Sequence, residues 1–191
     1  MCCLTLTSDV FEVTGSLTLN DHQEAFVRAG TDTENTGSVC AVWAYDGGSV
    51  TINGGQYGVG QDKDGKRNDC IYAGSNAKET AGTIIINGGQ FEFDWTDGRP
   101  EGTIGVDNDG DRFLLNCADS TPASSITVNG GQFTNHVPGI EATGAGVVLG
   151  EGKAVYYKEA GNAPEGADLN TVVTTSYISN NTSATYKYVV R

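Results

Sequence analysis

The stretch TINGGQ at residues 51–56 returns as IINGGQ at 85–90 and as TVNGGQ at 127–132. The match is longer than six residues: SVTINGGQY (49–57), TIIINGGQF (83–91) and SITVNGGQF (125–133) agree in residue type throughout. A degenerate copy lies upstream, where SLTLNDHQ (16–23) aligns if Asp21 and His22 replace the glycine pair. The asparagines at 20, 53, 87 and 129 are then 33, 34 and 42 residues apart. Self-similarity at periods of about 20–50 residues is the signature of solenoids, propellers and arrays.

Within each copy the residues alternate. Side chains along a strand point to opposite faces in turn, so Ile84 and Ile86 share one face while Thr83 and Ile85 share the other. Val50 with Ile52, Ile126 with Val128, and Leu17 with Leu19 occupy the matching positions. Stacked in register, these residues form inward columns that no single unit buries alone. Asn tolerates left-handed backbone and Gly enters positive φ without a Cβ clash, so Asn-Gly-Gly reads as a sharp turn. A hairpin is the competing reading of Asn-Gly between apolar runs. The segment after the turn is very short, however, and the pattern returns after 33 residues or more, not after the 8–12 expected of a meander. A third apolar strand precedes each full motif: CAVWAY (40–45), CIYAG (70–74) and RFLLNCA (112–118). Three short strands per turn, stacked in parallel, describe a parallel β-helix.

The short apolar strand followed by (V/I)T(I/V)NGG and a Gln-aromatic pair resembles the right-handed parallel β-helix repeats of the pectate-lyase-like superfamily, found in surface proteins of gut bacteria and in phage virion proteins. The resemblance covers residues 10–157 and includes the opening VFEVTGSLTLND. It implies an all-β solenoid of about four to five coils. It leaves function open, because this architecture carries lyases, hydrolases, adhesins and virion spikes. After residue 133 the motif decays. The expected organisation is a β-helix with an N-terminal cap over 1–161, the cap supplied by CCLTLT, and a C-terminal strand cap over 162–191. TVVTTSYISNNTSATYKYVVR (171–191) supplies strands for that cap, since an uncapped stack exposes unpaired edges.

Composition narrows the partners. The 27 glycines, four prolines and abundant Thr, Ile and Val favour strands and turns in one domain. No stretch approaches the roughly 20 apolar residues of a membrane helix, so no membrane insertion is expected. A net charge of −13, with 11 Lys plus Arg against 24 Asp plus Glu, excludes nucleic acid as a partner. The start MCCLTLTSDV lacks the basic leader and cleavage site of a signal peptide. Five cysteines (Cys2, Cys3, Cys40, Cys70, Cys117) are an odd number without a CxxC pair, so Cys40, Cys70 and Cys117 read as small buried hydrophobes.

Stacking also assigns the polar residues of the motif. Asn20, Asn53, Asn87 and Asn129 would lie about 4.8 Å apart and bond amide to amide as stacked ladders do. Gln23, Gln56, Gln90 and Gln132 form a second candidate ladder. Loops over 58–69 and 94–111 absorb the unequal spacing, and loops projecting from a repeat scaffold are where recognition sits. DNDGD (107–111) places Asp107, Asp109 and Asp111 at the alternate-carboxylate spacing of calcium loops, although Arg112 and Ala118 stand where that pattern wants Gly and Glu. Asp107, Asp109 and Asp111 are therefore the metal candidates, with calcium the ion; no other cofactor is expected. Asp62, Asp64, Asp69, Asp94, Asp97 and the 107–111 trio are loop carboxylates from which a glycosidase pair could be drawn. His22 and His136 belong to no nucleophile or metal motif and read as surface or turn residues. Trp43, Tyr45, Tyr57, Tyr72 and Trp95 are candidates for stacking on sugars; Trp95 stands among Asp94, Asp97 and Arg99, which together form the glycan-binding candidate.

The sequence is thus read as a non-catalytic structural or adhesive module on a virion or bacterial surface, outside the cell, that presents loops to a glycan or cell-surface ligand or joins other virion or surface proteins. Homo-oligomers are compatible with this reading. The alternatives are a polysaccharide lyase or glycoside hydrolase acting on acidic glycans, and a calcium-stabilised adhesin.

Overall fold

The computed structural model describes residues 2–6, 10–20, 25–29, 39–60, 68–74, 81–94, 112–117, 123–139, 146–174 and 186–191. They form sixteen strands and one turn of 3-10 helix at Ala160–Asn162, with no α-helix among them. The strands are β1 (Cys2–Leu6), β2 (Phe11–Val13), β3 (Ser16–Leu19), β4 (Ala25–Ala29), β5 (Val39–Ala44), β6 (Ser49–Ile52), β7 (Gln56–Gly60) and β8 (Asn68–Ala73). They continue with β9 (Thr83–Ile86), β10 (Gln90–Asp94), β11 (Arg112–Cys117), β12 (Ser125–Val128), β13 (Gly131–Thr134), β14 (Val147–Leu149), β15 (Val155–Tyr157) and β16 (Lys187–Val190).

The pairing repeats every three strands. One sheet runs β2-β5-β8-β11 and a second β3-β6-β9-β12-β14, both parallel throughout. The third begins β1-β4-β7-β10-β13, also parallel, and continues through β16 to β15. Each unit of sequence therefore contributes one strand to each sheet. The repeat sets the register residue for residue: Leu17, Val50, Ile84, Ile126 and Val147 align, as do Leu19, Ile52, Ile86, Val128 and Leu149.

Inward parity follows from that alignment. Val50, Ile52, Ile86, Ile126 and Val128 are fully buried, as are Val42, Ala44, Ile71, Ala73 and Leu115 at the aligned positions of the β2-β5-β8-β11 sheet. At roughly 1.5–3 kcal/mol for each large aliphatic removed from water, these columns are the main stabilising term. The third sheet contributes aromatics. Tyr57, Phe91 and Phe133 stack with centroids 5.2 and 4.9 Å apart and planes within 13° and 9° of parallel. Cys40, Cys70 and Cys117 are buried and contribute to the packing of the interior.

The regular order changes after β13. By simple continuation β15 would pair with β13; instead β16, from the end of the chain, runs antiparallel between them. Asn135 anchors it from a left-handed backbone (φ 56°), its Oδ1 accepting from the Tyr186 N–H at 2.7 Å. Tyr188 and Val190 of β16 are buried, and Tyr188 packs 5.4 Å from Tyr157.

Candidate functional site

The NGG turn divides its work among its three residues. Asn53 Nδ2 donates to Asn20 Oδ1 at 3.0 Å, Asn87 to Asn53 at 2.9 Å and Asn129 to Asn87 at 2.9 Å, one continuous amide ladder. The first glycine is required by close approach: a Cβ on Gly88 would sit 2.8 Å from the Asn53 carbonyl oxygen, and one on Gly130 would collide with that of Asn87. The second glycine is required by backbone, since Gly55, Gly89 and Gly131 have φ of 100°, 114° and 122°. Left-handed φ is thus confined to the second glycine; none of the ladder asparagines adopts it.

The ladder borders one face of the β3-β6-β9-β12-β14 sheet. Outward from that sheet point three columns: Ser16, Ser49, Thr83 and Ser125; Thr18, Thr51, Ile85, Thr127 and Val148; and the four asparagines. Gly150 ends the asparagine column, because its α-carbon lies against Asn129 Oδ1 with no room for a side chain.

The outward face of the β2-β5-β8-β11 sheet is aromatic. Trp43 lies 4.3 Å from Tyr45 and 5.9 Å from Tyr72, at tilts of 30° and 35°. All three rings are half-buried. The Tyr45 hydroxyl donates to the exposed Glu12 at 3.4 Å. Register produces this cluster, since Glu12, Trp43 and Tyr72 are direct cross-strand partners. The third sheet aligns Gln56, Gln90 and Gln132, and Gln90 and Gln132 border a cleft of about 30 Å³ with Glu92, Thr134, Lys158 and Lys187.

Several expectations change. Tyr57 belongs to the interior stack, 2% exposed, with its hydroxyl donating to the Gly54 carbonyl at 2.9 Å; it offers no ring to a sugar. Asp69 is a buried strand residue and not a loop carboxylate: it sits in β8 at 2% exposure and accepts from Asn116 Nδ2 at 3.0 Å. His136 is fully buried beside Phe133, not at the surface. The placements of Asp69 and His136 have one cause, the tight packing of successive units, which buries polar residues of a strand or its following turn as well as apolar ones.

Burial pushes the Cys70 thiol well above its ordinary value, with Asp69 and then Glu92 adding to the effect. The thiolate is the nucleophilic form, so Cys70 is an inert packing residue. Gln23, Trp95, Asp97, Arg99, Asp107, Asp109 and Asp111 lie outside the described residues, as do Asp62, Asp64 and His22. Asp94 closes β10, where its backbone pairs with Gly60. Among the described residues no group of three His, Cys, Asp or Glu side chains could hold a metal ion, and no helix is long and apolar enough to cross a membrane. Comparison with protein-family models, with curated proteins and with solved structures returns no match.

A glycine column went unread in the sequence. Gly15, Gly48 and Gly82 each precede the first residue of a motif strand, with Ser124 in the fourth copy. A Cβ on Gly48 would strike the Val13 carbonyl and one on Gly82 that of Ala44. The signal was a small residue immediately before Ser or Thr in every unit.

Proposed function

We propose that the chain is a right-handed parallel β-helix with a strand cap, related to the pectate-lyase-like repeats, that acts as a non-catalytic structural and adhesive module on a virion or bacterial surface. The observation that carries this reading is the residue-for-residue register of three parallel sheets in steps of one repeat. Parallel strands joined by crossovers are right-handed almost without exception. The repeated residues are used for stacking: Asn in the ladder, Gly in close approach, Ile and Phe in the interior. The motif itself is a code for a rigid support, and recognition falls to what the support displays.

Two displays suit a glycan. The outward Trp43, Tyr45 and Tyr72 cluster beside Glu12 combines apolar ring surface with a carboxylate acceptor for sugar hydroxyls. The stretch Asp94, Trp95, Asp97 and Arg99 repeats that chemistry in sequence. A glycan array probed with the wild type, Trp43→Ala and Trp95→Ala tests the assignment. Binding that drops tenfold or more in either variant supports it. Turnover of uronic-acid polymers, abolished by substituting loop carboxylates, would replace it with the lyase reading.

A further inference from the structure

Among the described residues the three outward columns of the β3-β6-β9-β12-β14 sheet contain no ionisable side chain; Lys153 lies beside Gly150, at the edge of the asparagine column. The columns contain Ser and Thr, then Thr, Ile and Val, then Asn, ending in Gly146, Val148 and Gly150 at β14. This is unusual in a chain with 35 charged residues in 191, 11 basic and 24 acidic. The central column also exposes apolar surface: Ile85 is 41% and Val148 45% exposed, two of the three large exposed hydrophobics among the described residues. Depletion of charge at the centre of a patch, with apolar groups exposed beside hydrogen-bonding ones, is the compositional mark of an interface.

We infer that this face docks a second copy of the same chain, sheet against sheet, in a weak parallel dimer. Charge selects the occupant. A chain of net charge −13 repels its own copies at most of its surface, and the three uncharged columns let two copies meet with no charge at the centre, the Lys153 ammonium staying at the rim. A basic partner, by contrast, would find no acid here to pair with. Short, uncharged β-branched and amide side chains repeating at the strand spacing are also the kind that interdigitate between paired sheets about 10 Å apart.

Symmetry fixes the orientation. With a two-fold axis parallel to the stacking direction, each strand faces its own counterpart, and the central columns meet residue on residue: Ile85 against Ile85, Val148 against Val148. The flanking columns exchange, so the Ser and Thr hydroxyls of one copy meet the asparagine ladder of the other. Asn53, Asn87 and Asn129 each use one N–H within their own chain and have a second for such a contact. Reversing one copy would instead set Val148 against Thr18 and leave it poorly covered.

Size sets the strength. Five strands about 4.8 Å apart and five residues at about 3.3 Å each span roughly 400 Å², about half of the ~800 Å² per partner of a standard stable interface. The dimer is therefore concentration-dependent, forming between about 10 µM and 1 mM, a range that crowding on a shared surface would reach.

Sedimentation of the full chain over that range tests the inference. The wild type is expected to shift from monomer to dimer. Ile85→Asp and Val148→Asp, which set like charges against each other across the two-fold, should each weaken the dimer at least tenfold, and Val172→Asp, at an exposed hydrophobic elsewhere, should not. Circular dichroism of each variant checks that the fold is kept. A Thr51→Cys chain joined 51 to 51 by a short bifunctional thiol reagent would support the parallel arrangement. Monomers at every concentration, or dimers indifferent to Asp at both 85 and 148, would overturn it. So would a monomer that binds a neutral polysaccharide through this face and loses it in Ile85→Asp.

Discussion

The first unit and the inner units use the same residue types at the same positions, and they differ in what lies beneath them. Leu17 and Leu19 of the first unit are only partly buried, whereas their counterparts Val50, Ile52 and Ile86 are wholly so. Asn20 only accepts a ladder bond, while Asn53 and Asn87 both accept and donate. A Cβ on Gly15 would meet open space, yet on Gly48 or Gly82 it would meet backbone. Identical chemistry thus acquires its energetic weight from the neighbouring unit, as expected when stability is the sum of intrinsic and nearest-neighbour terms. A motif residue is best valued by counting how many of its flanks are covered.

That comparison can be broken at its most heavily weighted point. Ile86→Ala removes a side chain enclosed by units on both sides and should cost about 2–5 kcal/mol in denaturant titration, with Leu19→Ala costing less than half as much. Equal losses at the two positions would show that burial comes from within each unit and not from stacking. The glycine column gives the next largest contrast. Gly82→Ala drives a methyl into the Ala44 carbonyl and should cost about 1–3 kcal/mol, while Gly15→Ala should fall within about 0.5 kcal/mol of the wild type. If Gly15→Ala proved the more damaging, the first unit would have to be covered by something at its outer side.

The ladder sharpens the comparison on a finer scale. Asn87→Ala deletes two amide bonds and Asn20→Ala one, so at about 0.5–1.5 kcal/mol per bond the inner substitution should cost about twice the outer. A double-mutant cycle between Asn53 and Asn87 isolates the direct term. A coupling indistinguishable from zero would mean that the exposed amides exchange freely with water and that the turn is held by its glycines alone.

Legibility followed the same division. The inward columns, the asparagine ladder and the three strands per unit were readable because each repeats at a fixed offset and a strand's period of two leaves one assignment of faces. Tyr57 was misplaced because the turn at Gly54 and Gly55 resets parity, so the strand before it does not say whether Gln56 or Tyr57 points inward; the recurrence of an aromatic at 57, 91 and 133 was the available clue. Asp69 and His136 were misread because polarity was taken as exposure, and neither belongs to the repeated set that would have marked it as buried. The pairing of β16 between β13 and β15 was not legible at all. An antiparallel strand that arrives from 53 residues downstream of β13 carries no periodic mark, and YKYVV (186–190) reads equally well as any half-buried edge.

Cys70 offers the smallest test and probes how dry the interior of an inner unit is. Its thiol is raised above the ordinary 9.0 chiefly by burial, then by Asp69 and Glu92. Below about pH 9 both folded and unfolded chains hold that proton and the thiol contributes no pH dependence. As pH rises past 9 the unfolded chain loses the proton first, so it binds fewer protons than the folded chain and stability falls, by up to about 1.4 kcal/mol per pH unit until the folded thiol ionises. Cys70→Ala should remove this component: between pH 8 and pH 10 the variant should lose about 1 kcal/mol less than the wild type by urea titration. Parallel pH profiles would mean that water or a relaxed neighbour reaches Cys70. The inner units would then owe their stability less to exclusion of solvent than the contrast with the first unit implies.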